Sequence, residues 1–343
     1  MFIPRPSRHP RGPALVAAAA GILLVPLALY LNREHGKPGT LPAAEITENS
    51  PAPASTPETS GPARRPNQSQ AESFATERGR SGLCLVALAR ATGDPAWLDR
   101  ALAEHPEDPR VQLERWRQAK TPEEKAAAVA ALRAADSDNP LGHYLATRQA
   151  FEGGDLGAVA RLLVDASFAQ TYSSYAAETF GETAEVFRAS GLGEFDALNA
   201  AMAAGGVTDV GINLHQLGDD MGELQHVFVE MGYWDEADFM FERTLALGEQ
   251  LQDGDLLIDN LVGVALQRKL LSSFDPATIV DLSGTTAAER LAQLEVESAE
   301  LKTLWPDAGE HLRNLDEASI AKYRTILTSD GEAAAMRWLK ERK

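Results

Sequence analysis

From Leu83 to the carboxy terminus the large apolar residues recur at intervals of three and four, and they do not alternate with polar residues over the length of a strand. A period near 3.6 without a period of two predicts helices throughout, and so an all-α fold. The punctuation agrees. Asp94 precedes Pro95, and Thr121 precedes Pro122 with Glu124 three residues past the threonine, the spacing at which cap and carboxylate each satisfy an orphan backbone N–H. Thr286 with Glu289 and Ser329 with Glu332 repeat that spacing and predict further helix starts, while Gly93, Gly153, Gly154, Gly205, Gly206 and Gly254 predict stops.

The pattern upstream is different. Ala14 to Leu31 is a run of 18 residues without a charge, close to the ~20 that a helix needs to cross a bilayer. Arg5, Arg8 and Arg11 precede it, while Arg33, Glu34 and Lys37 follow with a smaller net charge. This asymmetry predicts residues 1–12 in the cytoplasm, a single transmembrane anchor over 13–32, and the remainder outside, in the periplasm of a bacterial-type envelope. No A-x-A-like site follows the run and no cysteine there can accept a lipid, which favours a retained anchor; a cleaved signal peptide would deliver the chain to the same side. Residues 33–80 are rich in Pro, Ser, Thr and Gly with almost no large apolar side chain, so they predict a disordered linker.

Within the helical part, EDPRVQLERW from Glu107 and DNPLGHYLAT from Asp138 place Pro109 and Pro140 thirty-one residues apart, near the period of a helix-pair repeat. Between Met231 and Gly248, residues Gly232, Trp234, Ala237, Phe241 and Thr244 give the order glycine, aromatic, small, aromatic, small at helical spacing, with Leu224 and Phe228 on the preceding helix. Gly154, Leu156, Val159, Leu163 and Ala166 repeat the order more loosely, with Tyr144 and Ala146 before them. This arrangement resembles the tetratricopeptide repeat, whose unit of about 34 residues brings two antiparallel helices together over small side chains. The departures are Val159 in a small-residue place, Gln225 where a small residue is expected, and no proline closing the unit after Gly248.

The resemblance covers residues 94–250 and implies an α-solenoid of tetratricopeptide-like helix pairs over 81–254, with 167–220 as another pair and 255–343 as a helical cap. It also implies that Gly154, Val159, Leu163, Gly232, Trp234, Ala237 and Phe241 are packing positions, as is Trp116, and that Tyr144 and Tyr233 are exposed for a partner. Leu256 to Leu271 is apolar on most faces and predicts a helix covered by several neighbours. Ala287, Leu291, Leu294, Ser298, Leu301 and Trp305 keep a four-three rhythm, too briefly for a coiled coil but long enough to cap the array or to oligomerise.

Charge and chemistry narrow the function. The formal net charge is −18, with the acidic excess lying after residue 80. Such a surface repels phosphate backbones, so nucleic-acid binding is excluded. Cys84 is the single cysteine and sits in the apolar run Leu83 to Ala89, as a buried structural thiol does. His215 and His226 flank Asp219 and Asp220, but an eleven-residue gap is about 16 Å along a helix, too far for one ion. Sequence signatures of zinc peptidases, serine hydrolases and nucleotide-binding loops are missing. The expectation is a non-catalytic scaffold with an unknown protein partner and no cofactor, metal or catalytic residue. A structural envelope component oligomerising through its carboxy-terminal helices, and an enzyme of unrecognised type using acidic residues, are the alternatives.

Overall fold

The computed structural model describes residues 65–342 apart from 170, 206–207, 282 and 305–307. The expected membrane helix, the linker as far as residue 64 and Trp305 lie outside the described residues. Among those residues no helix is long and apolar enough to cross a membrane, and no strand is present beyond an isolated antiparallel bridge between Ile279 and Thr286. The fold is all-α, as the periodicity predicts.

In chain order the helices are α1 (Gln68–Glu77), α2 (Gly82–Thr92), α3 (Ala96–Glu104), α4 (Pro109–Gln118), α5 (Pro122–Ala135), α6 (Pro140–Glu152), α7 (Leu156–Ala166) and α8 (Ala176–Ala189). They continue with α9 (Glu194–Gly205), α10 (Thr208–Met231), α11 (Trp234–Gln252), α12 (Leu257–Leu271), α13 (Ala287–Leu304), α14 (Ala308–Arg313), α15 (Glu317–Asp330) and α16 (Glu332–Lys340). Pro109 and Pro140 each open a helix behind a side-chain cap, Asp108 and Asn139. The Thr121–Glu124 capping box forms in full, and Thr286 and Glu289 exchange the same pair of bonds.

Two starts differ from the sequence expectation. Residues 68–77, expected in the linker, form α1: Asn67 and Gln70 make a capping box, and Ala71, Phe74 and Ala75 are buried. Three apolar contacts and a cap suffice because α1 lies against α2 and α8. Ser329 caps nothing; it closes the last turn of α15, its hydroxyl donating to Thr325 O, and Gly331 intervenes before α16.

Successive helices pack as hairpins, α4 with α5, α6 with α7, α8 with α9, α10 with α11, and α15 with α16. The hairpins do not simply stack in sequence order. Contacts run from α2 to α4, α5, α6, α10, α12, α13, α16, α15 and α8, and α8 packs back on α2, so they form a closed circuit. Two hydrophobic cores line it. One gathers Leu85, Leu88, Phe187 and Leu257 with apolar residues of α13, α15 and α16; the other gathers Leu132, Leu145, Leu163, Leu214, Leu217, Met221 and Leu247. Each fully buried leucine contributes about 2 kcal/mol.

The carboxy-terminal helices turn their apolar stripes inward: Leu294, Leu301, Met336 and Leu339 are buried. α12 is covered by α10, α11 and α13, as its all-round apolarity predicts. It meets α11 at a pair of glycines, where a Cβ on Gly263 would stand 2.4 Å from Gly248 O and from Gln252 N. Only glycine fits that crossing.

Candidate functional site

The aromatic residues singled out by their spacing divide differently from expectation. Val159, Leu163 and Ala237 are buried packing residues, and Phe241 is partly buried with its ring 4.7 Å from that of Phe274. Trp97 and Trp116 are buried. Tyr144, expected to be exposed, is 2% exposed. Its hydroxyl donates to Gln250 Oε1 at 2.6 Å, so α11 covers the face that the spacing leaves open. Trp234, expected to be a packing residue, is 51% exposed.

The reason lies in the hairpin turn. Gly232, at φ +78°, reverses the chain, and the Tyr233 N–H donates to Phe228 O at 2.8 Å, which leaves Trp234 at the first position of α11. There Ala237 and Met240 supply the inward face, and the indole stands at the tip beside an exposed Met231 and a partly buried Tyr233. Gly154, at φ +69°, reverses the chain in the same way between α6 and α7.

A second feature is polar and buried. The segment 172–175, the α11–α12 turn and the start of α16 meet in one joint. Asn139 Nδ2 donates to Ser173 O at 2.9 Å, and Ser173 Oγ donates to Asp255 Oδ2 at 3.0 Å. The Glu332 N–H donates to Asp255 O at 2.7 Å, and the Leu257 N–H donates to Glu332 Oε2 at 2.9 Å. Tyr175 takes up a left-handed backbone (φ +52°), which costs a non-glycine residue about 1 kcal/mol. It is held by its N–H bond to Ser173 Oγ and by its hydroxyl on Asp136.

Asp259 lies at the centre of this joint, 2% exposed. A Cβ on Gly254 would stand 2.9 Å from Asp259 Cβ and 3.1 Å from Tyr172 Cε1, which places both side chains against that turn. Asp259 Oδ2, Tyr172 OH and Ser174 Oγ are buried and make no hydrogen bond of normal geometry. Burial pushes the Asp259 carboxyl up to about 7, opposed by the nearby Ser174 hydroxyl and reinforced by Asp255 and Glu332. Burial likewise raises Asp255 and Glu332. The parts of this joint lie far apart in the chain, so its one local trace in the sequence is Asp259 itself, a carboxyl residue inside the apolar run Leu256 to Leu271.

α15 also meets the array at a second acidic place. Arg324 pairs with Glu185 of α8 and, at 3.4 Å, with Glu194 of α9. Arg188 and Arg78 each reach Glu185 at 3.2 Å. Burial pushes Glu185 up, but Arg324 and Arg188 outweigh it and hold the carboxyl below its usual range.

The remaining chemistry is ion pairing on surfaces and inert burial. His215 lies 3.4 Å from Asp219, which also accepts from Lys269, and Asp220 pairs with Arg148. Among the described residues no three His, Cys, Asp or Glu side chains converge to hold a metal ion. Burial pushes the Cys84 thiol up to about 12, which keeps it protonated and unreactive. A surface groove of about 390 Å³ is lined by Arg133, Ala158, Arg161, Leu162, Val164 and Asp165, so the buried carboxylates of the joint do not open into it. Comparison with protein families, curated proteins and solved structures finds no match to this chain.

Proposed function

We propose that this chain is a non-catalytic protein-interaction scaffold, with its helical domain held outside the cytoplasm by a single membrane anchor over residues 14–31. The hairpins α6–α7 and α10–α11 are read as divergent tetratricopeptide-like pairs, supported by glycines 154 and 232 at equivalent turns and by the buried Val159, Leu163 and Ala237. The observation that carries the reading is the α10–α11 tip, where a tryptophan, the residue type most enriched at interface hot spots, stands in solvent beside a methionine. The inward-facing stripes of α13 and α16 weigh against oligomerisation through the carboxy-terminal helices, although Val296 of α13 is exposed.

Photo-crosslinking in intact cells tests this, with a photoreactive residue at Trp234 or at Val296 of the full chain. A specific product with a different protein at position 234, not formed from position 296, is the expected result. Products of twice the chain mass from position 296, with none from 234, overturn the scaffold in favour of an oligomerising envelope component.

A further inference from the structure

Three carboxyl groups, Asp259 buried and Asp255 and Glu332 half-buried, meet at the joint between residues 172–175, the α11–α12 turn and the start of α16, and none of the charges that act on them belongs to a lysine or arginine. An uncompensated buried charge is among the costliest things a fold can hold, so such a group stays neutral while it remains buried. The hydrogen bonds to Asp255 and Glu332 are in place. Asp259 Oδ2 is fully buried and makes no hydrogen bond of normal geometry, with the Ser174 hydroxyl beside it and Tyr172 against the same turn.

We propose that the joint is a proton-operated latch: with a proton on Asp259 the α11–α12 turn stays seated against residues 172–174 and the start of α16, and loss of that proton unseats them. This does not depend on the scaffold reading. The groups that act on Asp259 are the Ser174 hydroxyl, Asp255 of the turn and Glu332 of α16, none of them a cation, which leaves the proton as its means of neutrality. Around them, Tyr172 feels Asp259, Asp255 and Tyr144 of α6, Arg243 of α11 acts on Tyr144, Asp136 on Tyr175, and Glu332 on Tyr323 of α15, while α10 presents Gly211, which carries no charge.

The direction follows from the raised carboxyl. In the open joint Asp259 returns to the ordinary carboxylate range and releases its proton, so closure is fully supported below about pH 4 and is lost as pH rises through about 7. One proton per opening makes the opening equilibrium about tenfold larger at pH 8 than at pH 6.

Amide hydrogen exchange on the full chain, corrected for intrinsic base catalysis, reads this at the N–H groups of Tyr175, Leu257 and Glu332, which bond within the joint. The expected result is about a tenfold loss of protection at these three between pH 6 and 8, with α5 and α7 unchanged. In Asp259→Asn, which keeps the shape without the titration, the loss is absent. Constant protection in the wild type, an equal loss throughout the molecule, or the same loss in Asp259→Asn each overturns the latch. If Asp259→Asn does not fold, the distribution of the loss within the wild-type chain decides.

Discussion

The α15–α16 hairpin meets the rest of the array at two acidic places. Where α15 lies on α8 and α9, a half-buried Glu185 and a buried Glu194 stand opposite Arg324, with Arg188 and Arg78 close by. Where α16 begins, a buried Asp259 and half-buried Asp255 and Glu332 stand opposite hydroxyls and backbone N–H groups. Two carboxyl groups therefore titrate in opposite directions, Glu185 held low by its arginines and Asp259 pushed high by burial. The two docks of one hairpin fail at opposite ends of the pH scale. Stability from the arginine-backed dock is present above the usual carboxylate range and is lost as pH falls through the lowered Glu185 value; stability from the other is present in acid and is lost as pH rises through about 7.

The largest effect that breaks this contrast is expected from Arg324→Met, which leaves Glu185 and Glu194 buried with less than their full complement of positive charge. Removing one partner of a buried pair costs about 3 kcal/mol, read as a lower urea midpoint at pH 7. The same variant loses less stability than the wild type between pH 5 and 3. Gly331→Ala comes next. Gly331 sits at φ +84° and ψ 169°, a region that L side chains avoid, and a Cβ there would stand 3.0 Å from Asp255 O. The expected cost is about 2 kcal/mol, again by urea unfolding.

Asp259→Asn separates the docks on the alkaline side. Between pH 6 and 8 the wild type is expected to lose about 1.4 kcal/mol more stability than this variant, the linkage for one carboxyl raised to about 7. The smallest effect belongs to Trp234→Ala. An indole at a hairpin tip contributes little to folding, so the urea midpoint should move by less than about 0.5 kcal/mol equivalent while crosslinking to a partner falls.

What was legible in the sequence was local. Helices, the capping box at Thr121, and the pairing of 140–152 with 156–166 all follow from residues within a few turns of one another. Residues whose environment is set by a distant element do not follow from their neighbours. Tyr144 is buried because α11 lies over it, and Trp234 is exposed because nothing described covers the hairpin tip. Glu332 carries the spelling of a capping box, yet its carboxylate serves the Leu257 N–H, 75 residues away. α1 leaves little mark in the sequence because its apolar content is small and its helical state depends on α2 and α8 being there to cover it. The acidic joint draws on residues 139, 172–175, 254–259 and 332, so no window of the sequence contains it.

The closed circuit of helices also sets a timetable for synthesis. α2 buries Leu85 and Leu88 in a core shared with α8, and α8 is then covered by α15, close to the end of the chain. As the chain is made from its amino terminus, the face of α2 that waits for α8 stays uncovered while about a hundred further residues are added, on the order of ten seconds. The last cover for α8 comes later still. Long-range closures of this kind slow folding, so the nascent helical domain carries an uncovered apolar face on α2 early, and a holding chaperone would have most to do there before α15 is complete.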